Sequence, residues 1–306
     1  MKKILLSTLV ASLLVTGTYA KESAANGATV KQVNTLAVKD AKQNAKDHQV
    51  KLVQEAIESV KYAHDAMLAL DKNDVKTAKE NLEKALGKLE AILASENAPK
   101  LLPIDQTITI IEFLGTATDA KIAVKLATTL LDDGKVQEAR EILTPLASEI
   151  DTTIINLPLA TYPDAIKLAL KYLNDGDIEK AKAVLVTALS TFVEVTIVTP
   201  IPLVKAAHLI AAAAEIASKD PKKAKVYLEA AKEQLKLAEA LGYVSRSDIT
   251  YKALYEAIDD IEDNIEAKEI KQKFEALKAK LKEFTSKIFS PKDEARKAAQ
   301  EAASKK

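Results

Sequence analysis

Asn174-Asp175-Gly176-Asp177-Ile178-Glu179-Lys180-Ala181, with Leu185 one turn further on, carries the pattern from which the architecture follows. Asn, Asp and Gly tolerate the left-handed backbone that ends one helix, and Asp177 is placed to cap the next. Alanine near the turn lets two helices approach closely, and leucine one turn later fills the groove between them. The same pattern recurs three times. The turns Asp71-Lys72-Asn73-Asp74, Asp132-Asp133-Gly134-Lys135 and Ser218-Lys219-Asp220-Pro221 precede the pairs Ala78/Leu82, Ala139/Leu143 and Ala224/Leu228. In chain order the four alanines lie 61, 42 and 43 residues apart. The spacing predicts a mainly α protein of repeated antiparallel helical hairpins forming a bundle or stack. The 34-residue period and aromatic signature of tetratricopeptide repeats are absent.

The segments joining the hairpins have a different character. Gln106–Ile111, Asp151–Asn156 and Val193–Thr199 alternate polar and β-branched residues beside Pro103, Pro158, Pro200 and Pro202. One reading gathers them into a small β-sheet; the other leaves them as extended loops or first turns of helices. Thr116-x-x-Asp119 and Thr161-x-x-Asp164 resemble capping boxes, with Pro163 in a first turn where its missing N–H costs little.

From Ser247 the chain becomes strongly charged. Residues 248–266 hold seven acids against Lys252, and residues 268–287 hold seven lysines against three glutamates. Ile258, Ile261, Ile265, Phe274, Leu277, Leu281 and Phe284 keep mostly three- and four-residue steps through both halves. This predicts one long amphipathic helix over 247–290, followed by a disordered tail over 291–306. The seven apolar residues are the candidate self-association seam, pairing acidic half with basic half in a second copy. Two other readings fold the helix back on its own domain, or lay Lys268–Phe289 on an anionic membrane surface; the membrane reading is not favoured.

Composition narrows the function. The 306 residues carry 44 basic and 44 acidic side chains, and all but three of the basic ones are lysine. There is no Cys, which removes disulfides, zinc–thiolate sites and cysteine nucleophiles. Three scattered arginines give no basis for bidentate nucleic-acid readout. Met1–Ala20 has the secretory pattern of charged start, apolar run Ile4–Val15 and small-x-small end Thr18-Tyr19-Ala20. We therefore expect a signal peptide over 1–20, export to the periplasm, a flexible or loosely helical leader over 21–46, and a hairpin domain over 47–246. After cleavage the charges nearly balance, 42 basic against 44 acidic. Acid protonates carboxylates near pH ~4 and leaves the chain strongly cationic, so its assembly state is expected to change.

Ala85-Leu-Gly-Lys-Leu89, Leu101-Leu-Pro-Ile-Asp105, Ala139–Ile150, Leu157-Pro-Leu-Ala-Thr-Tyr-Pro-Asp-Ala-Ile166, Pro200-Ile-Pro-Leu-Val-Lys-Ala206 and Leu241-Gly-Tyr243 together resemble the YfdX family of bacterial proteins. The likeness extends over about 48–260 and leaves out the charged C-terminal helix and the tail. It implies a helix-rich periplasmic protein, tied to stress (notably acid) and virulence regulation, that tends to self-associate. It implies no reaction, and no catalytic residues carry over.

The residues themselves supply no reactive constellation. His48, His64 and His208 lack the spacing of helix-borne metal sites, and there is no nucleophile elbow, phosphate loop or dinucleotide fingerprint. His208, in an apolar run, reads as a core histidine. No cofactor or metal is expected. The expectation is a non-enzymatic protein with a second copy, another protein or a small amphipathic ligand as partner. A periplasmic enzyme of unrecognised type and an envelope-structural protein are the alternatives. Tyr162, Pro163, Pro200, Pro202 and Tyr243, rigid or aromatic residues at junctions between helical units, are the candidate ligand or partner contacts.

Overall fold

A computed structural model describes residues 28–288 apart from 48, 96 and 97. The expected signal peptide and the 291–306 tail lie outside the described residues. Among those described, eleven helices and three strands follow the order α1 (Val30–Asp47), α2 (Gln54–Asp71), α3 (Val75–Leu93), β1 (Leu101–Ile111), α4 (Ala117–Asp132), α5 (Val136–Leu143), β2 (Glu149–Pro158), α6 (Tyr162–Asn174), α7 (Ile178–Ser190), β3 (Val193–Pro200), α8 (Ile201–Ile216), α9 (Pro221–Ala240), α10 (Ile249–Asp263) and α11 (Ile270–Ile288).

All four hairpins form where the turn chemistry places them. Asn73, Gly134 and Gly176 take positive φ of 59°, 75° and 81°. Asp74, Asp177 and Asp220 accept hydrogen bonds from the backbone N–H groups of Thr77, Lys180 and Lys223, each capping the second helix of its pair. The second hairpin departs from the rule, because Lys135 stands at the cap of α5 and makes no side-chain cap bond. The Thr116–Asp119 capping box is complete. Thr161 makes no such bond, and α6 starts at Tyr162 with Pro163 in its first turn.

The three β-branched connectors form an antiparallel sheet in the order β1-β2-β3. The Oγ1 atoms of Thr153 and Thr196 lie 3.0 Å apart, a cross-strand pair between β2 and β3. Each return between neighbouring strands is made by a helical hairpin in place of a tight turn.

The chain divides into two compact units, with boundaries inside the strands at 107/108, 151/152 and 196/197. The hairpin stretch 47–246 is therefore not one packing unit, because each strand carries the chain from one unit to the other.

Within the unit built from 49–107 and 152–196, hairpin α2–α3 packs on hairpin α6–α7. Its core takes Ala63, Leu82, Leu89, Leu157, Ile166 and Leu185. The buried Ser59 hydroxyl donates to the Ala85 carbonyl at 2.8 Å and ties α2 to α3.

Within the other unit, hairpin α8–α9 is the centre. Two expectations fail here. The leader segment contains a regular helix, α1, which buries Val33, Ala37, Ala41 and Ala45 at four-residue spacing. Alanine at every fourth position gives little hydrophobic signal but allows close docking on α8. His208 of α8 is buried, with Nε2 3.3 Å from Asp40 of α1 and Nδ1 3.1 Å from the Val204 carbonyl oxygen. The single C-terminal helix is in fact the pair α10 and α11, which pack against each other. α10 ends at Asp263, and its cap Asn264 donates both its backbone N–H and its side-chain amide to the Asp260 carbonyl.

A candidate interaction surface on the second hairpin

Ile258, Ile261, Ile265, Phe274, Leu277, Leu281 and Phe284 are all buried in the core around α8 and α9. Folding α10 against α11 closes the apolar seam within its own unit, so this seam offers nothing to a second copy. The junction residues do not converge either. Tyr162 and Pro163 are buried where β2 leads into α6, with the Tyr162 ring centroid 6.1 Å from that of Phe192. The Tyr162 hydroxyl is buried without a hydrogen-bond partner, and burial raises its pKa. Pro200 and Pro202 are buried where β3 becomes α8. Tyr243 is half-buried, and its hydroxyl accepts the Ser148 N–H at 2.8 Å. These five side chains set the direction of the chain and fill cores; they do not line one groove.

The surface that stands out is one the periodicity did not single out. In three of the four hairpins the groove-filling leucine is fully buried: Leu82, Leu185 and Leu228 are each 0% exposed. Their counterpart on α5, Leu143, is 41% exposed, although its neighbour Ala139 is fully buried. The helix pair itself has therefore closed, and what is missing is the layer outside it. Ile122, Leu126, Leu131 and Val136 of the same hairpin are exposed, and Leu114 just before it is 88% exposed. Scattered apolar residues are ordinary on a surface, but a group on one hairpin marks an interaction site.

The arrangement has a clear counterpart. Hairpin α6–α7 buries its equivalent face against hairpin α2–α3. Hairpin α4–α5 packs within its own unit through α4 on α9, and α4 itself buries Ala120 and Ala127. Among the described residues no cluster of His, Asp or Glu is arranged to hold a metal ion, and no helix is long and apolar enough to cross a membrane.

Residues 56–198, from α2 through most of β3, match the family model described as YfdX protein. This segment, a little under half of the chain, is YfdX-like. The YfdX match contains hairpins α2–α3, α4–α5 and α6–α7 and stops short of the Pro200–Ala206 and Leu241–Tyr243 stretches. Among solved structures, a crystal form of Salmonella Typhi YfdX is similar at 16% identity and a TM-score of 0.36, over 49% of this chain and 93% of that one. No curated protein matches the chain. The apolar face of α4–α5 thus belongs to the YfdX segment, and α8–α11 lie outside it.

Proposed function

We propose that this is an exported, non-enzymatic YfdX protein that works in the periplasm by self-association, and that it holds other proteins or small amphipathic molecules under envelope stress, acid above all. One observation carries the self-association reading: the apolar face of α4–α5 lacks the outer layer that the other hairpins have. The occupant is the α4–α5 hairpin of a second copy. Hairpin on hairpin is the packing this repeat already uses between α2–α3 and α6–α7. Export rests on the Met1–Ala20 pattern.

The test is native mass spectrometry of the processed protein purified from a periplasm, at pH 7 and pH 4. Wild type is compared with the double substitution Leu126→Glu/Leu143→Glu, both positions being exposed in the monomer. The expected result is a discrete oligomer for wild type, a different subunit number in acid, and a monomer for the variant at both pH values. A monomeric wild type, or an oligomer that survives the double substitution, would overturn the proposal.

A further inference from the structure

A groove of about 450 Å³ lies between the C-terminal half of α9, the following loop and the first turns of α10. That is the size of a small-molecule site. Tyr251 and Tyr255 of α10 line it, with ring centroids 6.2 Å apart and planes inclined at 47°. Tyr251 is buried, with its other neighbour the Phe284 ring at 6.0 Å. Burial pushes its phenol up to about 12, so the ring stays neutral across the physiological range.

The rim carries Lys236, Arg246 and Lys252 together with Glu239 and Glu256, and Arg246 is paired with one of these carboxylates. Arg246, one of only three arginines beside 41 lysines, places Nε 2.7 Å from Glu239. The Glu239 side chain is mostly buried and also lies 3.9 Å from Lys121. Arg246 itself is 70% exposed, and among the described residues it makes no second ion pair. The Nε contact ties one edge of the guanidinium to Glu239. Of the other two rim cations, Lys236 is paired with Glu233 at 2.6 Å and Lys252 approaches Glu256 on the same helix at 3.8 Å. A pre-positioned guanidinium presents two parallel donors to a carboxylate, and aromatic rings beside it accept a planar apolar body.

We infer that this groove binds a small aromatic carboxylate, with the carboxylate on the Nη groups of Arg246 and the ring against Tyr251 and Tyr255. The inference gives a ligand class to the ligand-holding part of the proposed function and rests on that reading. It does not depend on self-association, because the groove and the α4–α5 face share no lining residue.

The probe is trans-cinnamate, titrated by isothermal calorimetry into the full processed protein at pH 7 and low salt. Saturable binding is expected, weakened at least tenfold when cinnamyl alcohol replaces cinnamate or acetate replaces the aromatic acid. Arg246→Gln should weaken cinnamate at least tenfold, and Tyr255→Leu should do the same through the ring. Lys252→Gln, at an exposed position on the rim, should weaken it less and report on charge without disturbing the fold. Equal binding of acid and alcohol, equal binding of acetate and cinnamate, or an unaffected Arg246→Gln variant would each overturn the inference. Leu126→Glu/Leu143→Glu should bind cinnamate as wild type does. Loss of assembly with retained binding then separates the two proposals, and binding lost along with assembly would refute the independence of this site.

Discussion

Truncating Leu143 and Leu228 to alanine tests the reading of the second hairpin directly. The two residues hold equivalent places in their hairpins and lie in the same compact unit, so they report on the same unfolding event. Leu228 is 0% exposed beside Tyr227 and Leu209 in the main core. Its removal leaves an enclosed space, and Leu228→Ala should cost about 3–4 kcal/mol. Leu143 is 41% exposed. Three carbons at ~0.8 kcal/mol each, scaled by the buried fraction, come to about 1.4 kcal/mol, with no sealed cavity to add. In dilute protein the two variants should therefore differ by about 2 kcal/mol. If a second copy covers α4–α5, the cost of Leu143→Ala should climb towards that of Leu228→Ala as concentration rises, since partner binding adds to apparent stability. The assay is urea unfolding followed by circular dichroism over a hundredfold range of protein concentration. The reasoning fails if Leu143→Ala is as damaging as Leu228→Ala at the lowest concentration, or if the gap is the same at every concentration.

Two further tests probe single groups. Burial, and then the neighbouring Glu149, raise the Asp151 carboxyl above its ordinary 3.8, and one of its oxygens is buried without a partner. The folded state holds this proton more tightly than the unfolded chain, so stability should fall as pH rises through the raised value. Asp151→Asn should therefore raise the melting temperature at pH 7 and change little near pH 4; a gap independent of pH would contradict this. Gly176 sits at φ 81° with open space where a Cβ would go, whereas Gly87 lies inside α3 with equally open space. Gly176→Ala should cost about 1–2 kcal/mol through left-handed strain alone, and Gly87→Ala should gain about 0.8 kcal/mol of helix propensity. Thermal denaturation showing shifts of the same sign would refute the argument.

Local chemistry accounts for what was legible in advance. Asp74, Asp177 and Asp220 cap helices whatever surrounds them, and Gly134 and Gly176 reverse the chain because few other residues accept that backbone. The β-branched connectors likewise announced themselves by alternation, and β1, β2 and β3 formed there. Helix α1 was missed because its buried face is three alanines and one valine, a stripe that barely differs from a solvated sequence. The break between α10 and α11 contains no Gly or Pro, so nothing local marked it.

The candidate surface was hidden for a deeper reason. Leu143 and Leu185 occupy the same position in the same motif, and no property of either segment distinguishes buried from exposed. The hairpins, their turns, the strand segments and the absence of cysteine chemistry were all written into the chain, since each depends on composition or on residues a few positions apart. Long-range packing alone settled which hairpin faces were covered and that the charged C-terminal seam closed on itself. Burial and convergence depend on groups far apart in the chain, and periodicity records only that a face is apolar, not what lies against it.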